Sequence, residues 1–216
     1  MKSALWCASA VVSGWWAVVC AQHDVRRQRQ IGHTFGEAHV SDRSFTTWFV
    51  SVLCGVAVLL FAQRHESSWM VIAFMACSAT GFRVSLIDID THTIPRRVML
   101  SASVSLIVLL CIASTLTTGI DMVKVFVGGI GSWMFMWFLE LVSRGDVGHA
   151  DVVFAGYLGL FIGAIGYEQV PVAFLVSFLV AGLVALVMIA TRNATRSTHL
   201  PFGPFLFVGM VVAVLR

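Results

Sequence analysis

An all-α fold, a polytopic membrane helical bundle of about eight transmembrane helices, is what this sequence predicts, and two observations carry the prediction. Hydrophobic residues make up 58% of the 216 and charged residues only 12%, with a mean hydropathy of +0.89, whereas about a quarter of the residues in a soluble domain are charged. The apolar runs also recur along the whole chain with brief polar breaks, so lipid rather than a single core must cover much of the surface. Residues 1–216 therefore read as one integral membrane domain. A formal net charge of +3 and the lack of a basic run interleaved with aromatics argue against nucleic acid as a partner.

The elements follow in order. Met1 to Ala21 is an apolar run with only Lys2 before it and Arg26, Arg27 and Arg29 after it. That is the charge pattern of a retained first span rather than of a cleavable leader. A polar loop over 23–43 precedes a second span, Phe45 to Ala62, and a third runs from Trp69 to Ile87. After a loop at 88–97 come spans from Val98 to Leu116 and from Val123 to Val142, joined by a turn near Gly119. A loop at 143–151 leads into a short span ending at Gly166, a turn at Tyr167 to Gln169, and a span to Ala190. A loop at 191–204 and a last short span to Leu215 close the chain.

Simple alternation puts the loops 23–43, 88–97, 143–151 and 191–204 on one side. They hold nine arginines (Arg26, Arg27, Arg29, Arg43, Arg96, Arg97, Arg144, Arg192, Arg196) against four basic residues opposite (Lys2, Arg64, Lys124, Arg216). The bias makes those four loops cytoplasmic and both termini external. Arg83, inside the third span, is expected to snorkel towards the same face. The five cysteines (Cys7, Cys20, Cys54, Cys77, Cys111) include no C-x-x-C pair and read as small buried apolar residues.

Alternation brings Asp88, Asp90 and Asp151 to that one face, Asp88 at the end of the third span and Asp151 at the start of the sixth. A carboxylate beside hydrocarbon costs several kcal/mol, roughly 2.5–3.5 on insertion scales, so such acids are functional candidates. Two brought together cannot both ionise easily; one keeps a proton while the other stays charged, the arrangement that activates water in aspartic proteases. The plainer readings are a helix cap for Asp151 and solvated interfacial acids for Asp88 and Asp90.

Three stretches carry a resemblance. Ile87-Asp88 is followed by Ile94-Pro95; Gly148-His149-Ala150-Asp151-Val152 is followed by Gly159 and Gly163; and Leu200-Pro201-Phe202-Gly203-Pro204-Phe205-Leu206 lies near the end. In order and spacing they resemble the type IV prepilin peptidases, aspartic membrane proteases of the G-x-G-D type. The resemblance implies that Asp88 and Asp151 are the catalytic pair, with Asp90 the alternative for the first. It also implies hydrolysis of the short basic leader of prepilin-like membrane protein substrates at the cytoplasmic face of the inner membrane, with no metal and no cofactor, in the service of pilus or secretion assembly machinery. Ala150 stands where the family has glycine, adding a Cβ that restricts the backbone beside the acid, and Val153 where it usually has lysine. The paired C-x-x-C region of the longer bifunctional members is not in this sequence, so no methyltransferase activity is expected.

His92 and His149 near the acids could be drawn as a metal site, but loop histidines are ordinarily solvated. Gly145-Asp146 is a second Gly-Asp pair with the wrong glycine spacing. Glu140 reads as a helix-end partner of Arg144, and Gly128, Gly129 and Gly131 read as sites of close helix packing. A catalytically inactive relative that binds pilin precursors, or a small proton-coupled transporter, would also use acids at span ends.

Overall fold

The computed structural model describes residues 2–30, 44–65, 67–91, 94–117, 119–143, 147–191 and 200–216, with side chains for all but 2–5, 7, 28–30 and 44–47. Eight helices make up the described chain: α1 (Lys2–Gln30), α2 (Ser44–Arg64), α3 (Ser68–Thr91), α4 (Arg96–Leu116), α5 (Met122–Val142), α6 (His149–Ile165), α7 (Gln169–Ala190) and α8 (Gly203–Leu215). No strand occurs among the described residues, as lipid demands, since a helix satisfies its own backbone where water cannot. Helices α3, α4, α5 and α7 are long and apolar enough to cross a membrane, while α6, α8 and the Trp48–Arg64 part of α2 are shorter apolar helices.

Two boundaries differ from expectation in ways that matter. Helix α1 runs on to Gln30 instead of giving way to a loop at 23, so Asp24 and Arg27 ride on a rigid helix. Helix α3 continues through Thr91, so Asp88 and Asp90 belong to its last turns and not to a loop. In the last turn Thr91 Oγ1 donates back to the Ile87 carbonyl at 2.8 Å. The turn between α4 and α5 uses Gly119 at φ 125°, a conformation that side chains disfavour. Asp121 then caps α5 by accepting from the Val123 amide at 2.9 Å.

Helix α3 is the centre of the bundle: 61% of its apolar stretch is buried, against 28% for α4 and α5 and 17% for α7. It packs against α1, α2, α4, α6 and α8. At one end a stack of Phe61, Phe74 and Phe161 joins α2, α3 and α6, with ring centroids 4.4 Å apart for Phe61–Phe74 and 5.5 Å for Phe74–Phe161. Midway, the buried Tyr157 of α6 lies beside Cys77 and Thr80 of α3. Arg83 is half-buried on α3. Its guanidinium grips Asp24 of α1, with Nη2 2.6 Å and Nε 2.7 Å from Oδ2. A half-buried cation in an apolar helix needs such a partner.

The most extensive helix pair is α5 with α6, and glycines make it so close. A Cβ on Gly128 would fall 2.6 Å from the Gly159 carbonyl oxygen and 2.7 Å from Gly163 Cα. Gly159 and Gly163, which belong to the motif that follows Asp151, therefore serve helix packing. Gly129 lies in the same contact, but Gly131 does not, having nothing within 4 Å of its added Cβ. Of the cysteines, Cys54 and Cys77 are buried, Cys20 is half-buried and Cys111 lies exposed on α4, so the uniform burial expected for them does not hold.

Gly128→Val is expected to overpack the α5–α6 contact and destabilise the protein by about 1–3 kcal/mol, whereas Gly131→Ala leaves stability unchanged. Thermal unfolding of the two purified variants in detergent distinguishes them; equal effects would contradict this packing.

Candidate active site

Asp88, Asp151 and Gly203, separated by long stretches of sequence, meet at one end of the bundle. Asp88 enters from the last turns of α3 and is almost fully buried. Asp151 enters from the first turn of α6, half-buried, and lies near enough for the charge on Asp88 to act on it. Gly203 is the first residue of α8, and its amide donates to Asp88 Oδ2 at 2.9 Å.

Local sequence explains each placement. The first amides of a helix have no partner within it, and Gly203 turns one of them onto Asp88. Pro204 follows at a position where a missing amide hydrogen costs nothing. Glycine is required at 203 because a Cβ there would stand 2.9 Å from Asp88 Oδ2 and 3.4 Å from Asp88 Cβ and Cγ. The Phe207 ring, one turn further along α8, packs where Gly81 of α3 leaves room, edge-on to Phe82 at 4.8 Å. At the other acid, Gly148 is the N-cap of α6 and its carbonyl accepts from the Asp151 amide at 3.0 Å. Asp151 is thus the third residue of α6 and not its cap, and the charge on Asp88 reaches it.

The remaining sequence candidates sort as follows. Asp90 is buried in the same turns of α3, but Asp88 is the carboxylate whose charge reaches Asp151. Ala150 lies in the first turn of α6 with helical backbone, a conformation that alanine favours, so the expected restriction by its Cβ does not arise. His149 faces away from the acid pair and meets Glu140 of α5, Nδ1 to Oε2, at 3.2 Å. The expected Glu140–Arg144 pair lies outside the described residues because Arg144 does, as do His92, Gly145 and Asp146. No group of three or more His, Cys, Asp or Glu side chains that could hold a metal occurs among the described residues.

Sequence reasoning missed the Gly203–Asp88 contact and the Asp24–Arg83 pair. The second had a signal: an arginine inside an apolar span calls for an acid at the same depth on a neighbouring helix. The first had none beyond the presence of glycine between two prolines.

These features define a class, a helical membrane protein with a carboxylate pair at one end of its bundle. The chain belongs to the type IV leader peptidase family, which it matches over residues 75–186, just over half of its length. It is 24% identical over 167 residues to the prepilin leader peptidase/N-methyltransferase of Pseudomonas putida, covering 77% of this chain and 57% of that one. The protein of the same name from Aeromonas hydrophila is 23% identical, with 83% and 60% covered. That from Legionella pneumophila is 24% identical, with 83% and 62% covered. The chain thus spans about three fifths of the length of these relatives. No solved structure matches it.

Gly203→Ala should push Asp88 out of line while leaving the fold intact. Displacing a reacting group by about 1 Å can lower a rate about 10²-fold, so a loss of that order is expected in any reaction of the purified variant that depends on the acid pair. An unchanged rate would contradict the placement of Asp88.

Proposed function

We propose that this chain is a membrane-embedded aspartic endopeptidase that removes the basic leader of type IV prepilin-like precursors, using Asp88 and Asp151. The observation that carries the reading is the juxtaposition of these two acids, drawn from α3 and α6, with the α8 amide holding one of them. Membership in the leader peptidase family supplies the substrate class.

The chemistry follows from the pair. One carboxylate takes a proton from water as the water oxygen attacks the scissile carbonyl carbon. The other, protonated, donates to the carbonyl oxygen and so stabilises the tetrahedral intermediate. When the C–N bond breaks, the proton first taken from water goes to the departing amine, leaving a new carboxyl and a new amine terminus. The arginine bias of the loops supports a position of this end of the bundle at the cytoplasmic face of the inner membrane. There the leader of a precursor whose apolar helix sits in the same bilayer is within reach, and the product passes to the pilus or secretion assembly machinery. Helical backbone at Ala150 supports activity in spite of the missing glycine.

Co-expression with a prepilin, read as a mobility shift, tests the reading. The wild-type chain and Asp90→Asn should process the precursor, and Asp88→Asn and Asp151→Asn should each slow it by at least about 10³-fold. A properly inserted wild type that leaves its own precursor intact, or processing that survives both substitutions, would overturn it.

A further inference from the structure

A partly open cavity of about 490 Å³ lies between α1, α3, α4 and α6, apart from the acid pair. Its volume is typical of small-molecule sites, roughly 300–1,000 Å³. Small side chains form its walls, Ala76 and Ala79 from α3 and Ser101 and Ser105 from α4, and the buried ring of Tyr157 forms part of its floor. Helices α1 and α4 do not pack extensively on one another across it. At the depth of a bilayer such a gap takes up something apolar.

The charges at its mouth say what. Arg83 lines the cavity and is paired with Asp24. Arg97 is exposed one turn before Ser101, and residues four apart share a helix face. Arg27, also exposed, lies eleven residues beyond the cavity-lining Trp16 on α1, three helical turns along the same face. Against Arg27, Arg83 and Arg97 stand the carboxylates of Asp24 and of Asp90, which is seven residues beyond Arg83 on α3. Arg96, next to Arg97, is exposed as well. This excess of positive charge repels a basic leader peptide and attracts a phosphate.

We propose that the cavity is a binding site for an anionic phospholipid, with an acyl chain between α3 and α4 and the headgroup phosphate held by Arg97 and Arg27. Basic pockets between membrane helices recognise anionic headgroups in this way. The site touches both helices that carry the acid pair, through Thr80 of α3 and Tyr157 of α6, so its occupant braces them from the α1–α4 side. The proposal does not depend on the peptidase reading.

Native mass spectrometry of the purified full chain with dioleoyl phosphatidylglycerol or dioleoyl phosphatidylcholine tests it. Phosphatidylglycerol should be retained at least about five-fold more tightly, and Arg97→Gln should remove most of that preference, the factor expected from one arginine near a lipid surface. Ser101→Trp, which fills the cavity without changing charge, should abolish it. Arg97 is exposed, so Arg97→Gln is informative even where Ser101→Trp fails to fold. Equal retention of the two lipids, or a phosphatidylglycerol preference unchanged in Arg97→Gln, would mean a non-specific lipid annulus and overturn the proposal. A photo-crosslinker at Ser105 should capture lipid in membranes; capture of a co-expressed prepilin instead would assign the cavity to substrate and overturn it too.

Discussion

A carboxylate near the end of an apolar helix needs donors that its own helix supplies poorly, because the amides around it are already bonded to carbonyls one turn earlier. In this bundle a donor comes from another helix altogether: Gly203, at the start of α8, gives its free amide to Asp88. Much else in the structure depends on that contact. It needs glycine because there is no space for a Cβ, and it needs the α8 terminus to be held against α3, which the seating of Phe207 beside Gly81 and Phe82 achieves. The closing Pro-Phe-Gly-Pro stretch thus has a physical task, to end a loop, begin a helix and deliver one amide to one acid.

Asp151 is set by a different device. Helix α6 is fixed to α5 by glycine-mediated backbone contact, and to α3 by the phenylalanine stack at one end and the buried Tyr157 midway. With α3 as the shared neighbour of α1, α2, α4, α6 and α8, each acid sits on a helix located by contacts far from the acid itself. Substitutions well below the pair therefore act on its geometry, and the cavity beside α4 borders both helices concerned.

Much of this was legible in the sequence. Apolar run length and the spacing of polar breaks gave the helices α4, α5 and α7 nearly to the residue, because a span is a long, uniform signal. Boundaries were less legible where a helix continues into polar sequence: α1 beyond Ala21 and α3 through Asp88 and Asp90 are helical although their composition changes. The acids Asp88 and Asp151 stood out because charge beside hydrocarbon is costly, and Gly128 and Gly129 because small residues let helices pack closely, whereas Gly159 and Gly163 stood out only through the family resemblance. Their partners were not legible. That Gly203 meets Asp88 and that His149 meets Glu140 rather than Asp151 are facts of three-dimensional packing that no local pattern encodes, and Arg83 signalled the need for an acid without saying that Asp24 meets it.

The central claim is that Asp88 and Asp151 form one coupled pair. Coupled acids release their protons in two steps that belong to the pair, whereas independent ones titrate separately and indifferently to each other. Infrared difference spectroscopy of the carboxyl stretch, followed through a pH titration of the purified protein, reads this directly. Two separated steps are expected, collapsing to one when either aspartate is replaced by asparagine. Titration of each acid unchanged by loss of the other would contradict the account.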